Sequence, residues 1–129
     1  MAAMAMSNNR ASVAAGAAAE VFDRTLLNEY SMQNQELAAE ILELFLIQLP
    51  HMLEALETAA SQTEWNFATH TLKGSAAAIG ALRLQKLVAE LEAMSFPGED
   101  NLRLLRLQAV QAAAFDVRQA ARQAFPGPS

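Results

Sequence analysis

Residues 63–80 read TEWNFATHTLKGSAAAIG, an apolar stretch interrupted by polar side chains. In a helix that advances roughly 100° per residue, the side opposite His70 contains Trp65, Ala68, Leu72, Ser75, Ala76 and Ile79. Lys73 and Gly74 fall on the His70 side, together with Asn66, Phe67 and Ala77. Glycine inside a helix costs roughly 1 kcal/mol relative to alanine. We therefore predict a helix that buries one face and leaves space beside His70.

Two helices are predicted before this stretch. Asp23 is expected to cap a short first helix. A longer helix begins near Gln33, and its apolar stripe consists of Leu37, Ile41, Leu44, Phe45 and Leu49. Pro50 lacks a backbone N–H, but the stripe resumes in phase after it, so one bent helix and two separate helices both fit the pattern. Thr63 is expected to cap the His70 helix, and Gly80 to end it.

Two more helices are predicted after Gly80. The first buries Leu82, Leu84, Leu87, Val88 and Leu91. Asp100 is expected to cap the last helix, which continues to about Arg122 and buries Leu102, Leu105, Val110, Ala114 and Val117. The predicted fold is all-α, an antiparallel four-helix bundle with a short extra N-terminal helix over residues 21–124. Residues 1–20 are expected to be a disordered lead, and residues 125–129 a tail.

Composition narrows the class of protein. The 129 residues are enough for one domain, and 53% of them are apolar, with Ala and Leu predominating. The net charge of −5 and the lack of a Lys/Arg cluster argue against nucleic-acid binding. The apolar run at residues 41–49 is shorter than the roughly 20 residues that cross a bilayer, and the first residues do not form a secretory signal. A cytoplasmic protein that binds no membrane is expected.

His70 has the surroundings that phosphoryl transfer requires. A neutral imidazole offers a nitrogen lone pair to phosphorus, and a nearby cation stabilises the charge on the transferred phosphoryl oxygens. Lys73 lies one turn from His70, and Gly74 removes a side chain where a partner must come close. Two alternatives remain open from spacing alone: His70 is an ordinary surface histidine, or Gly74 serves a helix–helix contact. His51, the only other histidine, is predicted to lie in a different helix, and one pair of histidines makes a poor metal site, so no metal site is predicted.

Several segments together match a known pattern. Residues 70–76 read HTLKGSA and are followed by Ile79-Gly80-Ala81 and later by Leu91-Glu92. These segments, with Leu44-Phe45 and Leu49-Pro50 upstream, resemble the histidine-containing phosphotransfer (HPt) domain family. The resemblance covers roughly residues 22–124. It departs from the family at Thr69, where alanine is usual, and at Thr63, where an acidic cap is common.

The resemblance implies a role for each site residue. His70 would accept a phosphoryl group, through Nε2, from an aspartyl phosphate of a receiver domain and pass it to another receiver. Lys73 would steady the phosphoryl oxygens and Gly74 would clear the approach. Glu92 stands where some members orient the histidine, although a solvated glutamate is an equal alternative. The docking patch for the receiver domain would contain Asn66, Phe67 and Ala77.

The same resemblance implies a phosphocarrier rather than an enzyme. The chain has no nucleotide-binding motif, so no ATP-dependent kinase activity is expected. No cofactor is expected on the chain itself, since the Mg²⁺ for transfer would sit on the partner receiver domain. A monomer is expected. Two other functions remain open: a non-phosphorylated helical adaptor, and the phosphoacceptor domain of a chemotaxis-type histidine kinase.

Overall fold

Five helices with short connections make up most of the described chain. The computed structural model describes residues 20–125 and contains α1 (Arg24–Tyr30), α2 (Gln35–Thr58), α3 (Gln62–Ile79), α4 (Leu82–Glu92) and α5 (Asp100–Ala124). Each of α3, α4 and α5 packs on the helix before it, α5 also packs on α2, and α1 packs on α2 and α3. The prediction of an all-α bundle with a short first helix is confirmed. Residues 1–19 and 126–129, which hold most of the predicted lead and tail, lie outside the described residues.

The first two helices begin at polar caps. The carboxylate of Asp23 accepts a hydrogen bond of 3.0 Å from the backbone N–H of Thr25, which confirms the predicted cap of α1. Asn34 caps α2 in the same way, by accepting from the N–H of Leu37 at 3.0 Å. The helix then continues through Pro50 to Thr58. Of the two alternatives at Pro50, the single continuous helix is the observed one.

The start of α3 differs from the prediction at Thr63. Ser61 is the cap, and its hydroxyl accepts a 3.1 Å hydrogen bond from the N–H of Glu64. The Glu64 carboxylate turns back and accepts a 2.6 Å bond from the N–H of Ala60. A serine followed three residues later by a glutamate is the capping-box pattern, in which both side chains accept hydrogen bonds from backbone N–H groups at the start of the helix. Thr63 is therefore inside the helix. The Ser-x-x-Glu spacing of residues 61–64 is the sequence signal that would have identified Ser61 as the cap.

Gly80 ends α3, as predicted, for two reasons. Its φ of 81° lies in the left-handed region that favours glycine. Its carbonyl accepts a 2.8 Å hydrogen bond from the N–H of Asp23, and a Cβ at this position would collide with the carbonyl oxygen of Asp23. The end of α3 is thereby fastened to the cap of α1.

The last helix begins without a side-chain cap, so the prediction for Asp100 is wrong. Glu99 occupies the cap position and makes no capping hydrogen bond, whereas Asp100 is the first helical residue and accepts a 3.0 Å bond from Arg103. The helix ends at Ala124, two residues beyond Arg122. Phe125 packs partly against the core, and the guanidinium of Arg24 lies 5.0 Å from the centre of its ring.

The core consists of apolar residues from all five helices, with Leu42, Leu49, Trp65, Leu72, Leu84, Leu91, Val110 and Val117 among the most buried. The predictions that Leu44, Leu102 and Leu105 belong to it are wrong, because all three are exposed. On α2, more apolar side chains line the helix than the core covers, and Leu42 is buried where Leu44 was predicted to be. On α5, Leu102 and Leu105 lie before Gln111, whose side chain donates to Glu57 near the end of α2. Within residues 20–125, no helix combines the length and apolarity needed to cross a membrane.

Candidate functional site

His70 projects from the middle of α3 into solvent. The opposite face of α3 is anchored in the core by Trp65, Ala68, Thr69, Leu72, Ala76 and Ile79. Because these side chains fix the rotation of the helix, His70 is directed outward, and 78% of its side chain is exposed. The hydroxyl of Thr69, where alanine was expected, donates to the carbonyl of Trp65 at 2.9 Å, so its burial leaves no polar atom unpaired. The imidazole is therefore open to a macromolecular partner.

Glu92, the last residue of α4, contacts both His70 and Lys73. One carboxylate oxygen, Oε2, lies 3.4 Å from His70 Nδ1, which is longer than a typical hydrogen bond but within ion-pair distance. The other oxygen, Oε1, accepts a hydrogen bond from Lys73 Nζ. Of the two alternatives for Glu92, the solvated glutamate does not fit, since only 29% of its side chain is exposed and both oxygens have partners.

The electrostatics of Glu92 depend more on Lys73 than on His70. The hydrogen bond from Lys73 lowers the pKa of Glu92 below its ordinary value of 4.5, and the charge of Lys73 and the contact with His70 act in the same direction. Partial burial opposes these effects without reversing them. Glu92 is therefore a carboxylate at neutral pH, and its Oε2 lies at ion-pair distance from Nδ1 of His70.

Gly74 is exposed on the same side of α3 as His70. A Cβ built on Gly74 would meet no atom within 4 Å apart from its own helix and chain neighbours. The alternative of a helix–helix contact at Gly74 is therefore wrong for residues 20–125, since no other helix in that range lies within 4 Å of this Cβ. The open space that the sequence predicted beside His70 is present.

The remaining predicted residues flank His70 on two sides. Asn66 is exposed, and its side-chain oxygen accepts a 2.7 Å hydrogen bond from Gln62. Ala77 is half-buried. Phe67 is 73% exposed and faces α2, where it lines a shallow apolar groove with Gln48, His51, Met52, Ala55, Ala68 and Thr71. The α2 residues of this groove were missed, since no local pattern indicates which residues of one helix lie beside another.

His51 lies in that groove rather than in a metal-binding cluster. Within residues 20–125, no group of three or more histidine, aspartate or glutamate side chains is placed to hold a metal ion. His51 is exposed, and the groove places it on the α2 side of α3, whereas Glu92 approaches His70 from α4. The two histidines therefore have different surroundings: among the described residues, His70 has the Glu92 carboxylate beside it, and Glu92 in turn binds Lys73.

Comparison with known proteins identifies the family. The family model of the Hpt domain matches residues 40–124, which include α3, α4, α5 and most of α2. Comparisons with curated proteins and with solved structures found no match. Hpt domains carry phosphoryl groups on histidine in phosphorelays, where they interact with receiver domains, and they are phosphocarriers rather than kinases. The match spans most of the chain, and this protein therefore belongs to the Hpt domain family.

Proposed function

We propose that this protein is a phosphorelay phosphocarrier in which His70 accepts a phosphoryl group from the aspartyl phosphate of one receiver domain and passes it to another. The observation that carries the proposal is the arrangement around the imidazole. His70 is largely exposed, and its Nδ1 faces the Glu92 carboxylate. A carboxylate in this position favours the tautomer with the proton on Nδ1, which leaves the lone pair on Nε2. Nε2 is then the nucleophile.

In the transfer step, the Nε2 lone pair attacks the phosphorus of the aspartyl phosphate. An N–P bond forms while the bond from phosphorus to the aspartate oxygen breaks, and the aspartate leaves as a carboxylate. The imidazole keeps its proton on Nδ1 and gains positive charge, which Glu92 stabilises at 3.4 Å. The reverse sequence of bond changes delivers the phosphoryl group to the second receiver.

Lys73 supplies a positive charge to the transferred group. Its ammonium is bonded to Glu92 before transfer, and it lies one turn from His70. A lysine ammonium has three donors, so Lys73 can keep Glu92 and still donate to an equatorial phosphoryl oxygen. Mg²⁺ is expected on the partner receiver domain, which leaves this chain to position the imidazole and stabilise charge.

The partner is proposed to dock over Gly74 and the groove beside Phe67. Gly74 adds no bulk where the receiver must come close, and exposed Phe67 offers an apolar anchor of the kind that interfaces bury. Asn66 and Ala77 complete the patch on the surface of α3. In this proposal the protein acts as a monomer, because each transfer requires one exposed histidine and one receiver. Its proposed location is the cytoplasm.

The decisive experiment is phosphorylation of the protein by a phosphorylated receiver, followed by a test of the bond formed. Phosphohistidine is labile in acid and stable in base, which distinguishes it from phosphoserine. His70→Gln is expected to abolish labelling. His51→Gln removes the only other histidine and should still acquire the acid-labile phosphate; the comparison is of the bond formed and not of the rate, because His51 lines the proposed docking groove. Equal labelling of His70→Gln and the wild type would reject the proposal.

The same assay separates the two alternative functions. A helical adaptor would acquire no phosphate from any receiver. The phosphoacceptor domain of a chemotaxis-type kinase would be labelled at His70 by an isolated ATP-binding kinase domain in trans. Labelling by receivers but not by such a kinase domain would support the phosphocarrier.

A further inference from the structure

Two side chains near the beginning of α3, Gln62 and Trp65, make hydrogen bonds to the backbone at the end of α4 and just beyond it. The indole Nε1–H of Trp65 donates a buried 3.1 Å hydrogen bond to the carbonyl of Leu91, and the Trp65 side chain is 1% exposed. Gln62, one turn earlier, accepts a 2.8 Å bond from the N–H of Phe96, just beyond α4. The ring of Phe96 lies 5.5 Å from that of Trp65.

This attachment acts where α4 is weakest. The last carbonyls of a helix have no partner in the next turn, and helix ends fray. Leu91 is the residue before Glu92, and Glu92 ends the helix. The carbonyl of Leu91 accepts from the N–H of Met94 at 3.1 Å as well as from Trp65, so the indole adds a contact from outside α4. α4 also begins without a side-chain cap, at Ala81.

Glu92 has to meet a strict geometric requirement. Its two oxygens contact two different side chains of α3, with Oε2 facing His70 Nδ1 and Oε1 bonded to Lys73. A displacement of the helix end by about 1 Å away from α3 would lengthen the 3.4 Å contact beyond ion-pair distance, which is about 4 Å. The Trp65–Leu91 bond joins the same two helices as this contact, because Trp65 and His70 are both on α3.

We propose that Trp65 is a positioning residue for His70: its indole N–H holds the end of α4, so that Glu92 keeps the His70 proton on Nδ1. Trp65 touches neither His70 nor the transferred group in this scheme, and it acts only through Leu91 and Glu92. The effect on transfer rests on the proposed function of His70. The effect on the tautomer of the unphosphorylated protein does not.

The test removes the N–H while keeping the apolar ring. Trp65→Phe does so by mutagenesis, and benzothienylalanine at position 65, in which sulfur replaces the N–H, keeps the full shape of the side chain if the smaller ring fails to fold. Phe96→Leu is the matched control, since it removes the ring that contacts Trp65 and leaves the N–H bonded to Leu91. Nitrogen-15 NMR of the imidazole reports the tautomer of His70, and a single-turnover assay reports transfer from a phosphorylated receiver.

Both changes at position 65 should move His70 toward the Nε2–H tautomer, which free histidine prefers, and should slow transfer by about threefold to tenfold. Phe96→Leu should leave the His70 tautomer unchanged, even if the loss of the ring lowers the urea concentration at which half of the protein is unfolded. In a Glu92→Ala background, which removes the acceptor, the change at position 65 should have no further effect on either readout, because both act through one contact.

Two outcomes would overturn the proposal. The first is an unchanged His70 tautomer when the indole N–H is absent from a folded protein, which would make Trp65 a core residue only. The second is independent, additive losses from the Trp65 and Glu92 substitutions. If wild-type His70 were never phosphorylated, the proposed function would fail, but the tautomer measurement would still decide the role of Trp65.

Discussion

Gly74→Ala is expected to change stability and activity in opposite directions. Gly74 lies inside α3, where alanine is favoured over glycine by roughly 0.5–1 kcal/mol. The added methyl group would meet no atom within 4 Å from another part of the fold, so no steric cost offsets this gain. The variant should therefore be more stable than the wild type by roughly 0.5–1 kcal/mol, which raises the melting temperature by about 2–6 °C.

The same methyl group should slow the reaction with a receiver. It would stand one turn from His70, on the surface that the partner is proposed to cover. Overpacking a tight contact by one methyl group costs about 1–3 kcal/mol, which corresponds to at least a fivefold loss of transfer rate, by order of magnitude. Labelling by phosphoramidate, a small phosphoryl donor that needs no protein docking, should stay close to the wild-type rate.

Urea unfolding and single-turnover transfer measure the two effects separately. Ala112→Val is a suitable control because it adds bulk at an exposed position on α5, away from α3, and it should leave transfer unchanged. Transfer by Gly74→Ala at the wild-type rate would refute the docking argument. A loss of stability would refute the conclusion that the space around Gly74 is open.

Three further substitutions test individual contacts. Because its pKa is lowered in the fold, Glu92 contributes stability above the unfolded pKa of about 4.5, and this contribution is lost as the pH falls through the lower folded value. Urea unfolding should therefore find Glu92→Gln less stable than the wild type by under about 1 kcal/mol at pH 6, with a difference that shrinks as the pH falls below about 4.5, whereas a difference that stays constant would contradict the ion pair with Lys73. Gly80→Ala should destabilise the protein by at least about 2 kcal/mol, from the left-handed backbone and the collision with the Asp23 carbonyl, and a loss below about 0.5 kcal/mol in the same assay would disprove this tight turn. Phe67→Ser should slow transfer from receivers while leaving stability within about 0.5 kcal/mol and phosphoramidate labelling unchanged, and equal slowing with both donors would argue against a docking role.

Local patterns predict the helices themselves, whereas two helix starts and several inner-face residues differ from the prediction. Apolar periodicity predicted all five helices, and the left-handed glycine at position 80 was recognised from its place after an apolar run. The cap of α3 was misassigned because Ser61 and Thr63 are both residues that cap helices well. Leu44 and Leu105 differ from the prediction because a leucine stripe does not reveal which of its members a neighbouring helix covers. Leu105 is 63% exposed for that reason.

The part of the site that lies on one helix follows from the sequence alone. His70, Lys73 and Gly74 share a face of α3 because helical geometry sets the angle between residues that are three and four positions apart. The contacts of Glu92 with His70 and Lys73 do not follow from helical spacing in this way, because they join residues of two helices, α4 and α3. No periodicity within a helix specifies how far a second helix slides or rotates against it. Side-chain packing and contacts such as Trp65 to Leu91 decide that, and they exist only in the tertiary structure.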